Sequence, residues 1–154
     1  MTVRTAVEQD LQQVVSLYQS FFPAHNIFRK EESEILTYLQ EKMKKDTLLV
    51  YEEKHIIKAA LFLVLKTKTE DHALWKLRHF AFDTLQEASI LIQEAEKRIS
   101  ASSGSAKVEV TLAEDEEGLQ FYEKQGYKRE GRLSDHYRKG EFCVVLGKNF
   151  PSNG

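Results

Sequence analysis

Few side chains in this chain could handle protons at neutral pH, and they stand apart from one another. His79 lies in the apolar run LWKLRHFAF with only Lys76 and Arg78 as polar neighbours. An imidazole with its ordinary pKa of about 6.5 could take a proton from an amine, and a lone histidine on such a run is equally a structural residue. Tyr122, in FYEK, carries a phenol with an ordinary pKa of about 10, and it also falls on the apolar stripe of its segment. His25, His55, His72 and His136 lie in loops or turns with no second ligand at metal-site spacing, so no metal centre is expected. The single cysteine, Cys143, sits between Phe142 and Val144 in an apolar strand; it reads as a small buried hydrophobe and has no partner for an internal disulfide.

The bulk composition restricts what these residues can belong to. A chain of 154 residues with 42% apolar content can build one domain with a real core, taken here as 1–154. Charged residues make up 30%, but the formal net charge is only −2, which argues against generic nucleic-acid or anionic-membrane binding. No apolar run approaches the length of a membrane span, and the N-terminus lacks a basic region followed by an apolar one. The expectation is a soluble cytoplasmic protein.

The elements that must position the candidates follow from periodicity. Val3 to Val7 is a short strand, and Thr5 with Glu8 has the form of a capping box opening the next helix. Leu11, Val14, Val15, Tyr18, Phe21 and Phe22 repeat at three and four, and Pro23 stops that helix. Ile35, Leu36, Leu39 and Met43 mark a second helix, acidic in its first turn and basic in its last, as the helix dipole favours. TLLVYE (47–52) and IIKAALFLVLKTK (56–68) form a hairpin, and His72 to Phe82 is a third strand. Ala88, Leu91, Ile92, Ala95 and Ile99 define a third helix, opened by a capping box of Thr84 and Glu87. KVEVTL (107–112) alternates as a strand. Leu119, Tyr122 and Gln125 then give a short helix closed by Gly126, followed by two strands, the second from Glu141 to Phe150 after an Arg138-Lys139-Gly140 turn. The pattern alone gives an α+β layered domain: a mixed sheet of about seven strands with about four helices on its faces.

The segment FYEKQGYKREGRL, followed by a tyrosine, an Arg-Lys-Gly turn and a hydrophobic last strand, resembles the C-terminal half of the GNAT superfamily of acyl-CoA-dependent N-acetyltransferases. The order β, α, α, β, β, β, α, β, α, β, β extends the resemblance over nearly the whole chain. It implies acetyl-CoA as the donor and a small-molecule or peptide amine as the acceptor, and it leaves a homodimer open. Tyr122 occupies the position of the tyrosine that protonates the leaving thiolate in such proteins. Asp115, seven residues earlier, stands where relatives often hold an asparagine on the pantetheine arm, and here it is either that contact or a helix cap. The strand end, Phe80, Ala81 and Phe82, with Thr84 after it, matches the cofactor-binding edge. His79 is the one group on this strand that could stand in for the usual glutamate base. One element departs from the family. The loop Arg/Gln-x-x-Gly-x-Gly/Ala, which binds the diphosphate of the cofactor, is replaced by TLQEASI (84–90), with no glycine and no basic residue. Two functions follow as alternatives: an N-acetyltransferase transferring an acetyl group to a primary amine, or a GNAT-fold binding or regulatory module without catalysis.

Overall fold

The two long apolar runs of the sequence become adjacent strands, and the rest of the fold is laid along them. The computed structural model describes residues 2–23, 25–102, 104–114 and 118–152. In chain order the strands are β1 (Thr2–Thr5), β2 (Thr47–Glu53), β3 (Ile56–Lys68), β4 (His72–Phe82), β5 (Ser105–Ala113), β6 (Lys128–Ser134) and β7 (Phe142–Phe150). The helices are α1 (Leu11–Phe21), α2 (Glu32–Met43), α3 (Leu85–Ala101) and α4 (Gly118–Lys124), with short 3-10 turns at Glu8–Asp10 and Asn26–Arg29. The strands form one seven-stranded sheet in the order β1-β2-β3-β4-β5-β7-β6. It is mixed: β4 and β5 are parallel from His72↔Ser105 to Lys76↔Glu109, whereas β1–β2, β2–β3, β5–β7 and β6–β7 are antiparallel.

Contacts divide the chain into two compact units, Met1–Val64 with Arg78–Lys97 and Leu65–Leu77 with Arg98–Gly154. In the first, the stripe read from the sequence becomes the core: Leu11, Val14, Val15 and Tyr18 of α1 and Ile35 and Leu39 of α2 are buried with Leu48, Val50, Ala60, Phe62 and Ala81 from the strands. Leu49, Tyr51, Ala59, Leu61 and Leu63, which alternate with these along β2 and β3, are buried too, as are Ala88, Leu91, Ile92 and Ala95 of α3. Burial on both faces explains why these strands are continuously apolar rather than alternating. The hairpin between β2 and β3 turns on Lys54 and His55, both at positive φ (52° and 66°), the backbone that a two-residue turn needs to match strand twist.

Entry into α1 differs from the expectation. The helical entry begins at Glu8 after Val7, two residues later than a Thr5–Glu8 capping box would place it, and Val7 and Asp10 close the turn. The Asp10 carboxylate accepts the Val7 N–H at 2.8 Å, and the Asp10 N–H donates to the Val7 carbonyl at 2.9 Å. Arg4 decides the shift: its guanidinium donates to both Asp10 oxygens at 2.7 and 2.9 Å and to Glu52 on β2 at 2.8 Å. A bidentate guanidinium–carboxylate pair outweighs a single hydroxyl cap. It also holds the Asp10 carboxyl below the usual carboxylate range, chiefly through the Arg4 hydrogen bonds.

In the second unit β7 pairs with β5 from Ala106↔Phe150 to Ala113↔Cys143, and Cys143 is a fully buried thiol. Gly126 follows α4 at φ +95°, the left-handed stop expected of it. The β6–β7 connection is longer than the tight turn alone. Glu141 N–H does close a turn on the Arg138 carbonyl, with Gly140 at φ +82°, but Asp135 adds a second closure by accepting the Gly140 N–H at 2.6 Å.

Because Asp10 is buried and satisfies both Arg4 and Val7, Asp10→Ala is expected to destabilise the chain by about 2 kcal/mol in urea unfolding, and Asp10→Asn by less. Asp10 has a lowered folded pKa, so its contribution is present above the ordinary carboxylate range. The wild type should lose this advantage over Asp10→Ala as pH falls through the folded value.

Candidate functional site

Within the first unit β4 carries His79 at φ +50°, a left-handed backbone that a non-glycine residue adopts only when its surroundings compel it. The surroundings are aromatic. Ring centroids of Phe28, Tyr38, Tyr18 and Phe62 lie 5.1, 5.7, 5.9 and 6.0 Å from the imidazole, all edge-on. Tyr38 on α2 shares a 2.7 Å hydrogen bond between its hydroxyl and His79 Nε2. Burial, then the nearby Lys42, Arg78 and His25, holds the imidazole down to about 3 from its ordinary value. His79 is therefore neutral at physiological pH. A base this weak draws little of a proton from an ammonium group, and its Nε2 is already engaged.

The shell continues outward as a ladder of rings. Phe22 stacks on Phe28 (5.5 Å) and His25 (4.6 Å), meets Phe21 at 4.8 Å, and Phe21 meets Phe82 of β4 at 4.8 Å; Phe82 in turn touches Phe80 at 5.3 Å. Phe80 and Ala81 are buried, Phe82 is half-buried and Phe21 is exposed. The Tyr18 hydroxyl, at the inner end, is fully buried and has no hydrogen-bond partner among the described residues.

The start of α3 is self-contained. The Thr84 N–H donates to Glu87 Oε2 at 3.2 Å, and the Glu87 N–H donates to Thr84 Oγ1 at 3.4 Å. The box read from the sequence is formed. Glu87 is buried, whereas Thr84 and Leu85 are exposed. The neighbouring Asp83 N–H is tied to the Lys58 carbonyl at 2.9 Å.

Within the second unit Tyr122 is buried on α4, its ring edge-on to Phe121 (5.3 Å) and Tyr127 (5.6 Å). Its carbonyl closes the helix by accepting the N–H of Gln125 and of Tyr127, both at 3.0 Å. A Cβ added at Gly118 would sit 3.8 Å from the Tyr122 ring, in ordinary contact. Asp115 lies outside the described residues. Glu114 pairs with Arg132 of β6 at 2.6 Å.

Tyr38 was not legible as a partner of His79, because the bond joins residues 41 apart and Tyr38 lies off the apolar stripe of its helix. Tyr18 was legible only as core. Among the described residues no three His, Cys, Asp or Glu side chains gather at a metal-binding distance, and no helix is long and apolar enough to cross a membrane.

No family model matches the chain, and no curated protein matches it by sequence. Solved structures do. The aminoglycoside 6'-N-acetyltransferase from Enterococcus faecium superposes with a TM-score of 0.74 at 13% identity, covering 97% of each chain. An acetyltransferase of the GNAT family from Streptococcus pneumoniae gives 0.72 at 15% identity, over 97% of this chain and 98% of that one. Arabidopsis thaliana Naa50, in complex with the bisubstrate analogue CoA-Ac-MVNAL, gives 0.76 at 14%, over 97% and 98%. The chain thus has the GNAT fold: an α+β architecture with a seven-stranded mixed sheet and four helices. At these identities the likeness establishes the fold and leaves the activity to chemical argument.

The depressed pKa of His79 has a consequence for stability. Between pH 6.5 and about 3 the unfolded chain takes up a proton at this position that the folded chain does not, so stability is full above this window and falls as pH drops through it. Comparison of urea unfolding at pH 7 and pH 4.5 should show His79→Phe losing about 2 kcal/mol less than the wild type. Equal losses in the two proteins would mean that the imidazole titrates normally.

Proposed function

We propose that this protein transfers an acetyl group from a thioester to the primary amine of a small molecule or a peptide. The observation that carries the reading is the fold match, over nearly the full length of both chains, to proteins named as acetyltransferases, one of them an aminoglycoside 6'-N-acetyltransferase. The donor in such chemistry is acetyl-CoA or a thioester like it; the Arabidopsis protein is seen with a CoA-peptide bisubstrate analogue. In the reaction a neutral amine attacks the thioester carbonyl, the C–N bond forms, the C–S bond breaks, the nitrogen loses a proton and the departing thiolate gains one.

Tyr122 is assigned the last of these steps. An ordinary phenol, with a pKa of about 10, lies close enough to a thiolate of about 8.5 that proton donation is uphill by only about 2 kcal/mol. The aromatic contacts with Phe121 and Tyr127 restrict its ring. For the acceptor the reading assigns His79 a positioning role. Neutral and bonded to Tyr38, it lines the aromatic nest without adding a charge that would repel an ammonium group. Phe80, Ala81 and Phe82 are assigned to the donor through the end of β4. The protonation state of the attacking amine is left to bulk solvent or to a base outside this set.

A second reading, a GNAT-fold module without catalysis, is favoured by the Thr84–Glu87 box, which engages two of the backbone donors at the α3 start and places a carboxylate there. The two readings separate on wild-type turnover, and Tyr122→Phe tests the acid. If Tyr122 is the acid, the substitution should lower kcat by about 100-fold and leave the KM for acceptor nearly unchanged in a thiol-release assay. An unchanged kcat removes Tyr122 from the acid role, and a wild type without turnover against a broad amine panel favours the module.

A further inference from the structure

The fold implies a donor whose far end is a nucleotide diphosphate, and the first unit does not fit that group. A diphosphate at a helix start needs unengaged backbone N–H groups, a favourable dipole end and usually a cationic side chain. At α3 the N–H groups of Thr84 and Glu87 are taken by the helix's own capping box, at 3.2 and 3.4 Å. The side chain that takes one of them is a carboxylate, and it is buried, so solvent screens it less than it would an exposed acid. Along this stretch of sequence the charge has one sign, and Lys58 of β3 is the cation alongside it, its carbonyl accepting the Asp83 N–H at 2.9 Å. From Asp83 through Glu96 the chain carries Asp83, Glu87, Glu94 and Glu96 and not a single Lys or Arg; the first basic residue after Arg78 is Lys97. Glu53 adds to this field: after burial, the carboxylates of Glu53 and Glu87 are what raise the Tyr51 phenol. Removing the phosphate loop alone would have left a neutral, open helix end. In this chain two donors of the helix start are capped, one of them by a carboxylate.

Resting on the acetyl-transfer reading above, we propose that the donor is recognised without its nucleotide. The substrate class is an acetyl thioester of a pantetheine arm, either free or carried on a protein as phosphopantetheine, and the 3′-phospho-ADP half of acetyl-CoA contributes nothing to binding. The bond changes are those of ordinary thioester aminolysis: C–S breaks, C–N forms, and the proton lost by the amine is balanced by the one gained at sulfur. No co-reactant is required.

The test uses the full chain and separates this inference from the activity on which it rests. Calorimetry with 3′-phospho-ADP alone should give no binding up to about 1 mM, and a Kd below about 10 µM overturns the proposal. In transfer assays S-acetyl-pantetheine and a phosphopantetheinyl carrier protein bearing acetyl should each reach a kcat/KM within about threefold of that of acetyl-CoA or above it. The two arms distinguish a free from a carried donor, and a preference of about 100-fold for acetyl-CoA over both overturns the proposal. Glu87→Gln keeps a hydrogen-bond acceptor for the cap while removing the charge, and it should bring 3′-phospho-ADP binding into the measurable range, with a Kd below about 1 mM. No change in Glu87→Gln would mean that the carboxylate is not what excludes the nucleotide, which also counts against the proposal. If no thioester supports transfer, the acetyl-transfer reading fails, and the nucleotide exclusion is decided by the two 3′-phospho-ADP measurements.

Discussion

An uncharged imidazole surrounded by aromatic rings is the constraint on which the first unit depends. His79 sits at a left-handed backbone position in the middle of a strand, a conformation that costs on the order of 1–3 kcal/mol and survives only where packing over-determines it. Tyr18 from α1, Phe28 from the 3-10 turn, Tyr38 from α2 and Phe62 from β3 all meet it, so one side chain joins four segments distant in sequence. The same enclosure sets its chemistry. Desolvation and three nearby cationic or titratable groups keep the ring neutral, so the packing that stabilises the nest makes His79 a poor base and a good neutral wall.

Charge is treated differently at the two other polar features of this unit. Asp10 is buried, but a bidentate guanidinium and a backbone N–H satisfy it, so its burial ties β1 and the start of α1 to β2 through Arg4. Glu87 is also buried, and it serves the helix that carries it. One carboxylate is used for a long-range tie and the other for a local cap. The second use takes up two of the backbone donors that a helix start otherwise presents. In the second unit Tyr122 is held by neighbouring rings on a helix of seven residues that Gly126 stops.

Sequence by itself determined whatever depends on neighbours a few residues apart. The α1 stripe from Leu11 to Tyr18, the Thr84–Glu87 box and the left-handed stop at Gly126 are interactions of residues within one or two turns of each other, and each formed as read. Strands β3 and β4 were legible to the residue because their apolar runs are bounded by turn-forming or charged segments. Tertiary structure decided the rest. The turn before α1 closes on Val7 and Asp10 rather than on Thr5 and Glu8 because Arg4, also bonded to Glu52 48 residues away, holds the Asp10 carboxylate. The state of His79 was likewise decided by a tyrosine 41 residues away and by rings from other elements, since a pKa depends on the solvent excluded and the charges nearby, neither of which a linear pattern records.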